Sequence, residues 1–528
     1  MSIFNTLGRR SILQAGFGAF ALAALGPARL WANPVFRSNP FTLGVASGDP
    51  LPDGVVLWTR LAPEPLGEHG GMPMLAVEVD WQVAEDRSFT RIVREGVELA
   101  RPELGHSVHV EVGGLRPARP YFYRFFLKGG EASVIGRTKT APALGSSLQS
   151  ARIASVGCQH YESGFFTAYK HLANEDNVDL VFHYGDYIYE GRGGTGGGSE
   201  TGGPRSMARQ HVGQEIYSIE DYRRRYAQYK MDADLQAAHA SAPFVMSYDD
   251  HEIDNDWASA YDQDGVPEHI FQLRKFAALQ AWYENLPVRI GQFPKGGMVK
   301  LYRNLDYGDL LRIHVLDTRA YRSQQLCDAR AKNPCRAQDD AKATMLGQAQ
   351  ESWLNESLGN NSRWNFLAQQ IMFSPYDLRK EGATEPWTSS DDWIGYPAAR
   401  ERLKKSISDR SLTNVVIGTG NSHRHTVAHV PVNDSELEGP ALAVEFMSSS
   451  ISSSGDSDVN WTGQETTMRN NPHMKLMELQ RGYQIYDVTP SLWTTHVKVM
   501  EYVGKPGGKI STLAKYAVEP TRSVIEKV

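Results

Sequence analysis

Apolar and polar residues alternate over short runs between positions 41 and 141. In Val77-Glu78-Val79-Asp80-Trp81-Gln82-Val83 every second side chain is apolar, which sets one face of an extended strand against a core. VVLWT at 55–59 and residues 106–112 and 121–127 are further strand-like runs, with turn residues between them. Short strands at such close spacing predict an N-terminal β-sandwich of fibronectin or immunoglobulin type over residues 39–141. A Pro/Ala/Gly/Ser segment at 141–150 then reads as a linker.

Beyond 151 the texture changes. Short apolar runs at 178–182, 244–248, 311–316, 364–367, 415–417 and 441–446 alternate with helical periodicity at 218–231, 271–284, 345–358 and 397–407. Buried strands alternating with helices predict an α/β layered domain over 151–510. Residues 191–204, GRGGTGGGSETGGP, form either a lid or a solvated insertion. Residues 511–528 show little pattern and read as a tail.

The composition fits a soluble, loop-rich protein: 528 residues, 41% hydrophobic and 22% charged, with 48 Gly and 27 Pro. A net charge of −6 with no long basic run argues against a nucleic-acid-binding surface. At the N-terminus, Arg9-Arg10 precedes an apolar stretch from Ala15 to Gly26 that is short for a bilayer and ends in small residues. Residues 1–32 therefore predict a twin-arginine-type signal peptide, the Tat export machinery as partner, and a periplasmic or secreted location. No stable membrane span is expected once the signal is cleaved. In an oxidising compartment Cys327 and Cys335 read as a loop-closing disulfide, which leaves Cys158 over. A small buried hydrophobe and a thiolate metal ligand are its two readings.

Chemistry collects at four strand ends: Gly157-Cys158-Gln159-His160, Gly185-Asp186-Tyr187-Ile188-Tyr189-Glu190, Asp249-Asp250-His251-Glu252 running on to Asn255, and Gly420-Asn421-Ser422-His423. Each alone reads equally as a helix cap or a solvated loop. Together they stand where sites form in layered α/β folds. Ferric iron accepts thiolate, phenolate and imidazole, which Cys158, Tyr189 and His423 can supply, with Asp186 bridging to a second ion. Asp250 or Asn255, together with Asn421, offers that ion oxygen donors suited to Ca2+. Two such ions clamp a phosphate ester and generate hydroxide near neutral pH.

FTLGVASGDPLPDGVVLWTRLAP (41–63), SVGCQ, GDYIYE, DDHE, VLDTRAYRS (315–323), LAQQ, WIGYPAARERL (393–403) and the GNSH segment resemble, in order, the motifs of the PhoD-like alkaline phosphatase/phosphodiesterase family. That family is related to purple acid phosphatases and other metallophosphoesterases. The resemblance implies an exported hydrolase of phosphate monoesters or diesters, with Fe3+ on Cys158 and Tyr189, Asp186 bridging, and hydroxide held by the metal pair attacking phosphorus in line. It implies that Asp250 or Asn255 serves the second metal and that His423 keeps an iron-ligand position. It places His251 at the phosphoryl or leaving group, and gives Arg319 and Asp317 a supporting or phosphate-side role. Three positions depart from the family pattern, one of them Thr426, where a tryptophan is often found. Asn421 replaces an aspartate that binds the second metal, and Ile394 replaces the aspartate of WDGYP. A catalytically weak phosphate or phospholipid binder is therefore a rival, and a β-sandwich adhesion protein a more distant one. No G-x-S-x-G elbow points to a serine hydrolase.

Overall fold

The computed structural model describes residues 36–194, 207–325, 341–457 and 459–528. The signal segment, both residues of the expected disulfide and most of the glycine-rich stretch lie outside them.

Two large sheets stack face to face. One has ten strands. Its centre is Ala151–Val156, Leu180–His183 and Phe244–Met246, mutually parallel. The other has seven, with Leu311–Val315, Trp364–Ala368, Val415–Thr419 and Ala441–Met447 parallel at its centre. Period-2 geometry divides each strand between two cores. Leu180 and Phe182 meet Ile313, Phe366, Val416 and Phe446 between the sheets. Val181 faces outward onto helices Thr167–Ala173, Ile219–Lys230, Ala233–Ser241 and Glu268–Asn285. Helices Gly347–Ser357 and Pro397–Asp409 cover the outer face of the second sheet through Leu354, Leu403 and Ile407 against Leu367, Val415 and Ile417. At the centres of both sheets both faces are buried, which is why the central strands read as nearly continuous apolar runs.

The N-terminal region packs two sheets over a common core. Ile92–Ala100, Val77–Ala84, Pro120–Phe126 and Gly136–Lys139 form a four-stranded sheet. It faces Val45–Leu51, Gly54–Arg60 and Ser107–Val112 through Val45, Leu57, Val79, Val110, Tyr123 and Phe125. Those three strands are also the last three of the ten-stranded sheet: Gly48 pairs in parallel with Phe244. The region is thus continuous with the layered body rather than a bead on a linker. Trp58 Nε1 donates to the carbonyl of Glu284, and Arg60 donates to the carbonyls of Gly105 and Arg223 and to Asn285 Oδ1.

The expectation of a patternless tail at 511–528 is corrected. Ile510–Glu519 and Arg522–Lys527 form a hairpin on the other edge of the ten-stranded sheet. A register shift between Ala517 and Glu519 breaks the hairpin's alternation, and an edge strand exposes much of one face, so no clean period shows in the sequence. Three helices also escape the periodicity: Thr167–Ala173 and Gln464–Asn470 are two turns long. Ala233–Ser241, poor in amphipathic contrast, begins on Asp232, whose side chain accepts from the backbone N–H of Asp234 and Leu235. No helix among the described residues is long and apolar enough to cross a membrane.

Candidate metal centre

Four strands run toward one end of the stack, and three of them stop in left-handed turns there. Cys158 (φ 50°), Asp186 (φ 55°), Asn421 (φ 63°) and His423 (φ 53°) all hold a backbone conformation that non-glycine residues reach at a cost of about 1–3 kcal/mol each. Glycines make the close approach possible. A Cβ on Gly157 or Gly420 would lie 2.2 Å from the ring of Tyr184, which wedges between these two strand ends. The turns are tied together by main-chain bonds: Cys158 N–H donates to Gly185 O (3.0 Å) and Gln159 N–H to Asp186 O (3.0 Å).

The turns bring ligand atoms of Cys158, Asp186 and His423 within 4.8 Å of one another, and likewise those of Asp186, Asp250 and His251. Asp186 belongs to both groups. Tyr189 joins the first: its hydroxyl donates to Asp186 Oδ2 (2.8 Å) and lies 3.1 Å from His423 Nε2 and 2.7 Å from Ser453 Oγ. Ser453 Oγ also donates to the carbonyl of Cys158 (2.6 Å). His423 is steadied by Ser454 Oγ, 2.9 Å from Nδ1. His251 Nδ1 lies 2.8 Å from Glu190 Oε2, and Glu190 Oε1 accepts from the N–H of Asn255 (3.0 Å).

Electrostatics of these groups favour a cation. Burial pushes the Cys158 thiol and the Tyr189 phenol well above their ordinary range, and the Asp186 carboxylate pushes both further. Burial and the neighbouring Asp250, Asp249 and Glu252 raise Asp186 in turn, against the pull of His251. Burial, with Arg481 and His251, drives His423 well below the usual imidazole value, so it offers a neutral lone pair. Burial disfavours charge on His251, yet Glu190, Asp250 and Asp186 hold its pKa well above normal. Glu190 is drawn down to about 2: burial works the other way, but His251 and Arg274 outweigh it. Asp186 Oδ1 is buried and receives no hydrogen bond, a costly state for a carboxylate oxygen without a cation. Thiolate, phenolate, imidazole and a shared carboxylate fit a hard trivalent ion on one side, and oxygen donors a second ion on the other.

Residues 153–497 match the PhoD-like phosphatase family, and residues 27–142 match its N-terminal domain. Alkaline phosphatase D of Bacillus subtilis (strain 168) is 43% identical over 532 residues, which cover 99% of this chain and 90% of that protein. The chain belongs to the PhoD-like phosphatase family. A solved structure of PhoD superposes with a TM-score of 0.89 at 44% identity, over 94% of this chain and 93% of that one.

Not every residue singled out from the sequence joins this PhoD-like centre. Arg319 is fully buried beneath it. Its guanidinium donates to Asp249 Oδ1 (2.5 Å) and Asp391 Oδ1 (2.6 Å) and lies 3.3 Å from Asp250 Oδ1. With three carboxylates around it, the side chain holds together the floor of the site. Asp317 caps its own turn, accepting from the N–H of Arg319 and Ala320. Asp250 is grouped with Asp186, and Asn255 in the same loop donates its amide N–H2 to Gln263 Oε1 (2.8 Å). Ile394 packs among partly buried apolar residues beside Met447 and Met477. Three residues earlier, Asp391 is buried and paired with Arg319 and Arg322.

Sequence reasoning passed over Asp391 and Glu252, and took Glu190 only as one of the oxygen donors at 186–190. Glu252 accepts from the N–H of Asp186, Tyr187 and Asp249 (3.0, 2.6 and 2.9 Å) and so ties two site turns together. The cue was present, since Glu190 and Glu252 end the quoted motifs, but apart from Asp249 the partners of their carboxylates lie more than sixty residues away. His160, Glu162 and His211 also gather ligand atoms within 4.8 Å. There, His211 Nε2 meets Tyr229 OH (2.9 Å) and Nδ1 faces the Arg225 guanidinium (3.4 Å). With both ring nitrogens engaged and a cation alongside, that cluster does not fit a metal.

Proposed function

We propose that this chain is an exported, two-metal phosphomonoesterase or phosphodiesterase, with Fe3+ at Cys158, Asp186, Tyr189 and His423 and Ca2+ shared by Asp186 and Asp250. As a member of the PhoD-like phosphatase family it is a phosphoric ester hydrolase. The observation carrying the finer reading is Asp186, a buried carboxylate common to two ligand groups, with one oxygen lacking any protein partner.

Bound there, the metal pair supplies Lewis acidity to the phosphoryl oxygens and acidifies water. The protein's own residues do the rest. Asp186 fixes the spacing of the two subsites. Glu190 orients His251 through Nδ1, leaving Nε2 to hand a proton to the departing alkoxide oxygen. Cys158, Tyr189 and His423 are held by Ser453, Ser454 and main-chain donors, so their geometry is set before substrate arrives. No serine, threonine or cysteine nucleophile is called for. The paired arginines and the short apolar stretch after them support export by the Tat machinery to the periplasm or beyond.

The test is metal analysis of natively exported protein together with hydrolysis of p-nitrophenyl phosphate and bis-p-nitrophenyl phosphate, with and without calcium. Near-stoichiometric iron, a visible phenolate-to-iron band and calcium-stimulated cleavage are expected. Full hydrolysis by iron-free protein would rule the reading out.

A further inference from the structure

An asparagine at 421 brings one oxygen and no charge to a position where a carboxylate would bring a full negative charge. What surrounds Asn421 shows how the chain accommodates it. Its backbone N–H approaches the Cys158 sulfur, so it stands at the rim of the first ligand group. Its Nδ2 lies 3.4 Å from Asp391 Oδ2. A carboxylate only accepts hydrogen bonds, so only the N–H2 end of the amide can face Asp391. The reversed orientation would set two acceptors against each other. Asp391 cannot swing away. Its Oδ1 is gripped by Arg319 (2.6 Å) and Arg322 (2.7 Å), both fully buried, and by Gln325 (3.1 Å). Arg322 is pinned in turn by the carbonyls of Trp257 and Asp256.

We propose that Asp391 is a positioning residue: by accepting the Asn421 N–H2, it fixes that amide so that its carbonyl oxygen faces the divalent ion held by Asp186 and Asp250. This rests on the two-metal reading above. The arrangement has a corollary. A carboxylate at 421 would stand against Asp391 with no cation between them, so Asn421 and the buried Asp391 belong together as a set. Changing one alone breaks the set, and exchanging both restores it in mirror form. In the exchanged pair the amide at 391 donates and the carboxylate at 421 accepts.

The experiment is a calorimetric calcium titration of iron-loaded protein in four forms: wild type, Asn421→Asp, Asp391→Asn and the double variant. Melting temperatures of the metal-free proteins give a second readout. Asn421→Asp alone is expected to leave calcium affinity unimproved and to lower the melting temperature. The double variant should bind calcium at least about tenfold more tightly than Asn421→Asp and recover melting temperature, because it removes the repulsion between two close carboxylates. Asp391→Glu, which keeps both arginines paired while displacing the acceptor by one methylene, should weaken calcium several-fold. It remains informative even if Asp391→Asn fails to fold. Additive effects, with Asn421→Asp tightening calcium equally in both backgrounds, would overturn the inference while leaving two metals in place. A wild type that binds no divalent ion would overturn the two-metal reading and this inference with it.

Discussion

Between the two N-terminal sheets the buried side chains are Val45, Val55, Leu57, Val77, Val79 and Phe125. At the strand ends of the layered body they are Asp186, Glu190, Asp249, Asp250, Glu252, Arg319 and Asp391. Both regions exclude water. In the first, burial itself is the driving force, at roughly 25 cal/mol per Å² of apolar surface. In the second, each buried charge is a penalty unless a partner is in place, and several backbone positions are strained as well. The contrast separates the part of the molecule that holds the fold from the part that the fold must hold. The charged region persists because the two sheets and their helices over-determine it, and because Arg319 and Arg322 offset the acids that enclose them.

Four changes press on that contrast. Asp186→Asn removes the carboxylate common to both groups. Hydrolysis measured with p-nitrophenyl phosphate should fall by more than the roughly 10–100-fold typical of outer-shell partners, with iron content falling alongside. Residual activity above a tenth of wild type would mean that Asp186 is not shared by two ions. Chelation comes next. Metal-free protein should melt lower, and calcium restored at about 1,000 times its Kd should return about 4 kcal/mol. A melting curve indifferent to chelator would show that the buried carboxylates need no ion.

In the apolar core, Leu57→Ala should cost about 2–5 kcal/mol of stability while kcat per folded molecule stays unchanged, as read by denaturant titration beside the rate assay. A drop in kcat would place the N-terminal sheets in the chemistry. The smallest expected change is Glu190→Gln, about tenfold to hundredfold in kcat. Glu190 helps keep His251 protonated, so its loss should move the alkaline limb of the rate profile to lower pH. The same residue has a stability signature. Its folded pKa of about 2 lies below the ordinary 4.5, so the stability it contributes is present above pH 4.5 and lost as pH falls toward 2. That acid-side loss should be smaller in Glu190→Gln.

The two regions also differ in how far the sequence discloses them. Leu180, Val181 and Phe182 declare a strand buried on both faces by composition alone, and the Ser218/Asp221 capping box marks where its helix begins. The strand-end clusters were legible because a glycine followed at once by Cys158, Asp186 or Asn421 is a poor way to end a strand unless those side chains have work there. Asp391 was not legible. Its importance comes from Arg319, Arg322 and Asn421, which approach it across as many as 72 positions. Arg319 could be read only as supporting or phosphate-side for the same reason, since nothing local tells an arginine facing substrate from one enclosed by acids. Asn255 and Asp250 share a loop, and only its detailed path decides which side chain turns inward.

The ten-stranded sheet also sets a clock. Arg152, on a central strand, bonds Asp487 on its neighbour, 335 positions later. At about 5–20 residues per second of synthesis, the first strand waits roughly 17 to 67 seconds for the partner that closes its edge. Until Gly482–Val488 emerges, the Cys158 turn rests on half a platform. A nascent chain therefore cannot complete the sheet beneath Cys158 until Gly482–Val488 is available to pair with Ala151–Val156.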